Sequence, residues 1–340
     1  MLERRKIWVP EPNVAQVVTD TFEEEPAGPR EVLIRNCFSH ISAGTELACI
    51  AGMESFFTIP GTPGYTAVGK ILKTGEAVEH LEEGDMVYTY GPHAEYFKIN
   101  VTDRWHGVCV KLPGGIDPVL AAFSHMAGIA MTAIRSSGIE LGDHVLVTGL
   151  GAIGNLAAQL ARLQGGRVIA SDVVQHRVEI AGQCGIAGAV NVSGIDLKAL
   201  VEEATGGDLA STYIDASGQA RVVEQSIDLV SLYGEVILLG TPRSPYETNL
   251  TSFLQHYHLL PWCQTMKGAL EFTWPTHRTE FVKHSIERNA GIIMGLIADG
   301  TLAVEPLLTH RIRPGEIQSA YDGLRGKPEE YMGVVIDWND

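Results

Sequence analysis

Apolar positions in the first 120 residues of this 340-residue chain come in short runs broken by Gly and Pro. This spacing predicts strands over 31–36, 65–73 and 86–90, a β-rich module without long helices. Residues 118–137 carry helical spacing and lead into a different regime. From 144 onward, β-branched runs alternate with stripes of 3.6-residue period. Strands are expected over 144–148, 167–172, 189–192, 211–215 and 235–239, and helices over 174–184, 197–205 and 220–229. The stripe Ile153, Leu156, Ala157, Leu160, Ala161 and Leu163 marks another helix. Such alternation predicts a parallel sheet with helices on both faces. After about 273 the pattern changes to one helix over 277–299 and strands over 304–311 and 331–336, a tail read as returning to the first domain. The expected fold class is α/β, with domains at 1–130 and 131–272 and a returning segment at 273–340.

The join between strand 144–148 and its helix carries the first chemistry. Gly149-Leu150-Gly151-Ala152-Ile153-Gly154 has the G-x-G-x-x-G spacing directly after a strand and at the start of a helix. In that context Gly149 permits the sharp turn and Gly151 a close approach of backbone to a pyrophosphate. Gly154 permits tight helix–strand packing, and Ala152 and Ile153 open the helix whose N–H groups face the phosphates. Asp172 closes the next strand, 18 positions after Gly154, near the spacing expected of an acid that accepts ribose hydroxyls. A carboxylate there repels a 2′-phosphate, so the expected cofactor is NAD rather than NADP. Arg177, five residues on, either swings towards a phosphate or solvates a helix. Gly240 and Thr241 follow a strand end, where open α/β sheets bind ligands, and Thr132 on the connecting helix is counted with the cofactor residues.

Composition narrows the partners. With 25 Lys and Arg against 41 Asp and Glu, the net charge is −16, which argues against nucleic acid, since phosphate contacts need a basic surface. No apolar run approaches the roughly 18 residues of a membrane span, and no apolar stretch follows the N-terminal charges. No membrane partner is expected, and a small-molecule substrate in the cytoplasm is the default. Five scattered cysteines without a C-x-x-C pair argue against a zinc ribbon or a disulfide framework.

Several motifs resemble the medium-chain dehydrogenase/reductase superfamily over nearly the full length. Pro63-Gly64-Tyr65-Thr66-Ala67-Val68-Gly69 looks like its G-H-E-x-x-G segment, Glu83-Gly84-Asp85-Met86-Val87 like its G-D-x-V strand, and His93-Ala94-Glu95-Tyr96 like its A-E-Y segment. The resemblance implies a GroES-like β-rich catalytic domain, a Rossmann cofactor domain and a homodimer. In the family's alcohol dehydrogenases zinc is held by a Cys, a His and a third Cys or acid. The matching positions here are Ala43, Tyr65 and Gly128, which are poor or impossible zinc ligands. Ser42-Ala43-Gly44-Thr45-Glu46 and Pro63-Gly64-Tyr65 look most like the zinc-lacking branch that includes bacteriochlorophyllide dehydrogenase. That likeness speaks for the branch and not for a tetrapyrrole substrate.

Without zinc, side chains must take the proton and stabilise the alkoxide-like oxygen. Thr45 matches the family hydroxyl that contacts the reacting oxygen, and Tyr65 either donates to it or fills space. His93 is the first choice for acid/base, because the position before Ala-Glu-Tyr often lines the family's pocket. His40, just before the Ala43 turn, and His125 are the alternatives. Glu46 matches the acid that supports the site from behind. No tight metal-ligand spacing links these groups. The expected activity is a zinc-independent, NAD-dependent oxidation of a secondary alcohol, with a polyol, cyclitol or sugar derivative favoured by the histidine-rich walls. The alternatives are a quinone or enone reductase, or a nucleotide-binding sensor or scaffold without turnover.

Overall fold

The computed structural model describes residues 1–26 and 28–339. The chain divides into one compact unit of residues 1–125 with 274–340, and another of residues 126–273. Among the described residues no helix is long and apolar enough to cross a membrane.

The unit 126–273 is built on a six-stranded sheet in the order Ala189–Asn191, Arg167–Asp172, His144–Thr148, Ala210–Asp215, Val230–Leu238 and Thr265–Gly268. Every neighbouring pair is parallel. His144–Thr148, first in the chain, is central, the next two strands lie on one side and the last three on the other, so the order in which strands are added reverses between His144–Thr148 and Ala210–Asp215. Open α/β sheets bind ligands at such a reversal, beyond the carboxyl ends of the strands. Leu146, Ile169, Tyr213 and Val236 make the buried interior beneath the helices. The helix Ala152–Gln164 ends at Gly165, whose φ of 110° permits the left-handed cap in which its N–H donates to the Ala161 and Arg162 carbonyls of the last turn.

In the unit 1–125 with 274–340, a seven-stranded sheet runs Leu308–Ile312, Gly333–Asp337, Glu31–His40, Ala67–Thr74, Met86–Thr89 and Cys109–Lys111, with Tyr96–Asn100 also paired to Glu31–His40. The late strand Gly333–Asp337 lies antiparallel to the end of Glu31–His40, Val335 opposite His40. This pairing brings the last residues of the chain to the strand end that carries Ser39 and His40. A separate hairpin, Leu2–Glu11 with Val14–Phe22, turns at Asn13 with φ 63°; its charged, irregular pattern carries no clean alternation.

Several elements differ from their sequence reading: the helix expected over 220–229 is Ala220–Ser226 followed by a 3-10 turn, Ile227–Leu229, and the strand expected over 304–311 is Leu308–Ile312, preceded by the 3-10 turn Glu305–Leu307. The stretch 118–137 is two helices, Pro118–Ala121 and Ser124–Ser136, the first capped by the Asp117 carboxylate, which accepts from Val119 N at 3.0 Å. The helix expected over 277–299 is Ile286–Ala298, started by Ser285, whose hydroxyl accepts from Arg288 N. Upstream, Thr276 Oγ1 donates to Arg104 O at 2.6 Å and His277 Nε2 lies 3.1 Å from Asp103 O. These anchors to another loop hold 276–277 outside the helix. The helix Thr251–His258 and the edge strand Thr265–Gly268 are additional elements without a strong periodic signal.

Candidate active site

At the carboxyl end of His144–Thr148 the glycines are used as their spacing requires. Gly149 has φ +87°, and a Cβ there would lie 2.8 Å from Ser217 N. A Cβ on Gly154 would lie 1.8 Å from Gly149 O, so only glycine lets the helix start this close to the turn. Around Gly151 the opposite holds: no atom lies within 4 Å of a Cβ built there, and Gly151 caps the N-terminus of Ala152–Gln164. The turn is therefore closed where the chain packs on itself and open where the first N–H groups of a helix, those of Ala152 and Ile153 included, can receive an anion.

Asp172 adjoins this turn and is only 6% exposed. Its Oδ2 accepts from Leu150 N at 2.7 Å and its Oδ1 from Val174 N at 2.8 Å, with Arg177 Nη1 3.5 Å from Oδ2. Each carboxylate oxygen retains acceptor capacity for a hydroxyl. Arg177 is thus already paired with the acid. A Cβ on Gly240 would lie 2.3 Å from Gly218 N, and one on Gly218 2.9 Å from Thr241 O, so backbone from two strand ends meets here. The Thr132 hydroxyl instead donates to Gly128 O at 3.1 Å within its own helix.

Sequence reasoning missed Asp215-Ala216-Ser217-Gly218 at the neighbouring strand end. The buried Asp215 accepts from Ser217 Oγ at 2.5 Å, Ser217 N at 3.2 Å and Gly218 N at 3.3 Å, which fixes the loop against Gly149. Burial pushes its pKa up. An acid at a strand end followed by Ser and Gly was the available signal.

In the other unit the three histidines have different environments. His93 is 0% exposed, with Nδ1 2.8 Å from Ser39 Oγ and Nε2 2.9 Å from Glu46 Oε1. Tyr321 OH donates to the same Glu46 oxygen at 2.5 Å, Ser42 N to Oε2 at 3.3 Å, and Trp338 Nε1 to Ser39 Oγ at 2.9 Å. Desolvation holds the Tyr321 pKa well above its ordinary value, with Glu46 reinforcing it, so the phenol keeps its proton. Ser39, Tyr321 and Trp338 had no sequence signal, because they meet His93 only through strand pairing and the returning tail.

His125 is 3% exposed and stacks on Tyr90, ring centroids 4.2 Å apart and 9° from parallel. The Tyr65 ring meets it edge-on at 5.0 Å. Its Nδ1 lies 3.2 Å from Tyr65 O and 3.0 Å from Thr66 Oγ1. A carbonyl oxygen only accepts, so a hydrogen bond to Tyr65 O puts the proton on Nδ1 and the lone pair on Nε2, the tautomer suited to a base, whereas the nearer Thr66 hydroxyl can either accept from that nitrogen or donate to it. His40 is 2% exposed, packed against Phe123 at 4.5 Å, and neither ring nitrogen has a hydrogen-bond partner. Burial drives its pKa from 6.5 to about 3. His40 is therefore neutral near pH 7. Thr45 is half-buried and opens the short helix Thr45–Ile50, on which Glu46 is buried.

Both units match known families in the same order. The alcohol dehydrogenase GroES-like domain matches residues 28–129, and the zinc-binding dehydrogenase family matches residues 152–279. The chain belongs to the medium-chain dehydrogenase/reductase superfamily. It is 33% identical to D-guloside 3-dehydrogenase of Escherichia coli, over 48% of this chain and 47% of that protein. The match thus spans about half the length of that relative. It is 24% identical to the L-galactonate-5-dehydrogenase of the same organism, over 82% of this chain and 84% of that one. The fold overlays on galactitol-1-phosphate dehydrogenase from E. coli with a TM-score of 0.82 at 18% identity, covering 98% of this chain and 99% of that chain.

The family implies a nicotinamide dinucleotide, and the Gly151 opening above a helix N-terminus fits its pyrophosphate. It also implies zinc, which these residues do not fit. Ala43 has no donor and a neutral phenol at Tyr65 is a poor one, while Glu46 and His93 are spent on each other. Gly128, read as a third position, would place a Cβ 3.2 Å from Glu271 Oε1. Among the described residues no group of three or more His, Cys, Asp or Glu is arranged to hold a metal ion.

Proposed function

We propose that this chain is a zinc-independent, NAD-dependent dehydrogenase of secondary alcohols, with a polyol, cyclitol or sugar derivative as substrate. The observation that carries the reading is His125, whose Nδ1 faces the Tyr65 carbonyl at 3.2 Å at the positions where the family's zinc ligand has been replaced. When bound, the nicotinamide supplies the hydride acceptor or donor. The alcohol proton goes to His125 Nε2, and the Tyr65 phenol and Thr45 hydroxyl hold the reacting oxygen. Gly149, Gly151 and Gly154 admit the pyrophosphate. Asp172 takes the ribose hydroxyls and disfavours a 2′-phosphate, which also weighs against an NADPH-dependent quinone or enone reductase.

His93 becomes a positioning residue in this reading, because both of its ring nitrogens are engaged inside the unit. We further propose a homodimer through Thr265–Gly268, an edge strand exposed along its length, with Leu232, Tyr233, Leu260 and Met266 exposed on it and adjoining segments. A cytoplasmic enzyme remains the reading of its location.

The test is turnover of a polyol and cyclitol panel with NAD and NADP by chelator-treated protein whose metal content has been measured. NAD-dependent oxidation at well under one zinc per chain supports the proposal. Loss of turnover on zinc removal sinks the zinc-free mechanism, tighter binding of NADPH than NADH sinks the cofactor, and no turnover with any alcohol leaves the sensor or scaffold as the better reading.

A further inference from the structure

We propose that Trp338, Ser39, Glu46 and Tyr321 lock His93 as a neutral, Nε2-protonated positioning residue that fixes the Pro63–Thr66 turn and, through the Tyr65 carbonyl, the tautomer of His125. The last step rests on the catalytic role proposed for His125, whereas the lock itself does not.

Donor and acceptor counting at both ends of the imidazole gives the same tautomer. Indole Nε1 is only a donor, so at 2.9 Å Trp338 donates to Ser39 Oγ. The Ser39 hydrogen then points at His93 Nδ1, 2.8 Å away, which must accept it. At the other end Glu46 Oε1 already accepts from Tyr321 at 2.5 Å. A carboxylate oxygen facing Nε2 at 2.9 Å requires a proton on that nitrogen. Protonating Nδ1 as well would leave the buried Ser39 hydroxyl without an acceptor, at a cost of about 1–3 kcal/mol. The titratable groups facing His93 are Glu46 and Tyr321, with His40 and His125 in its wider field. The buried Glu46 charge is met by three donors: the Tyr321 phenol, His93 Nε2 and Ser42 N.

The locked ring bears on the turn beside it. Gly64 has φ +97°, and a Cβ there would lie 2.6 Å from both His93 Cγ and His93 N, so the turn rests on the His93 ring and backbone. His93 N also donates to Pro63 O at 2.8 Å. The next residues supply Tyr65 O and Thr66 Oγ1, the two groups at His125 Nδ1. If His93 moves, the carbonyl that keeps the lone pair on His125 Nε2 moves with it.

Nitrogen-15 spectroscopy of histidine-labelled full-length protein reads this without turnover. Wild type should show His93 as a single Nε2–H tautomer, with Trp338→Phe and Tyr321→Phe each admitting the other tautomer. An imidazolium, or a His93 signal that titrates near neutrality in wild type, overturns the proposal even if no alcohol is ever turned over. His93→Gln is the conservative rescue, since its amide offers an NH2 donor group and a carbonyl acceptor and stays uncharged. It should keep kcat within about tenfold of wild type, with the same pH limb and the His125 Nδ1–H signal, whereas His93→Ala scrambles that signal. If His93→Gln folds, as judged by its melt, but loses about 10²–10⁴-fold in kcat together with the limb, then His93 is the acid/base and the positioning role is wrong.

Discussion

The glycine turn and the histidine brace each hold a small set of atoms in place, by opposite means. The turn does it with backbone from one contiguous stretch, 149–154, and works by leaving side chains out: Gly154 because a Cβ would strike Gly149 O, Gly151 because space must stay open. The brace does it with side chains from positions 39, 46, 93, 321 and 338, each giving up its polar atoms to another. A backbone cradle tolerates change at most neighbouring side chains but none at its glycines. A side-chain brace fails one hydrogen bond at a time, and the failure reaches the site through Gly64 and Tyr65.

The largest effect that separates the two comes from His125→Ala. Turnover should fall about 10²–10⁴-fold as the general base is lost, while NADH affinity by fluorescence titration stays put, because the cradle lies elsewhere in the chain. Equal losses in kcat and in NADH affinity would erase the distinction. Gly154→Ala should do the reverse, weakening NADH binding and costing about 1–3 kcal/mol in denaturant unfolding from the overlap with Gly149 O. Unchanged stability would mean that the turn relaxes more freely than its packing implies.

His40→Leu sharpens the side-chain half of the comparison through pH. The folded His40 pKa of about 3 lies below its ordinary 6.5, so between those values the unfolded chain binds a proton that the folded chain refuses. This group therefore lowers stability as pH falls through 6.5, by about 2 kcal/mol at about pH 5. The leucine variant should melt higher and show a flatter acid limb between about pH 7 and about pH 5; a limb as steep as wild type would remove His40 as its cause. The smallest effect is expected for Asp172→Asn, which keeps an acceptor at the turn but drops the charge. The preference for NADH over NADPH should narrow by about tenfold, and no change would separate the carboxylate from cofactor choice.

The same contrast explains what could be read from the chain. Gly149 to Gly154, Asp172, and the alternation that builds the parallel sheet are local patterns, and the strand order and the glycine contacts follow them closely. His93 was legible as a residue of interest from the Ala94-Glu95-Tyr96 resemblance, but its partners were not. Trp338 reaches Ser39 only because Gly333–Asp337 pairs with Glu31–His40, a register that no periodicity announces. The tautomer of His125 rests on a backbone carbonyl, and a sequence of side chains does not display it. The late start of Ile286–Ala298 has the same origin, since Thr276 and His277 are held by the carbonyls of Arg104 and Asp103.

The tail strand also sets an order of assembly during synthesis. All six strands of the parallel sheet exist once residue 268 has been made, so that unit has its complete sheet while translation is still under way. His93 waits much longer. Its phenol and indole neighbours are encoded at 321 and 338, and at about 5–20 residues per second they are added roughly 11–49 s after it. For that interval on the ribosome the nascent chain carries Ser39, Glu46 and His93 without the donors that arrange them. The nucleotide-binding fold can thus be in place before the histidine site acquires its geometry.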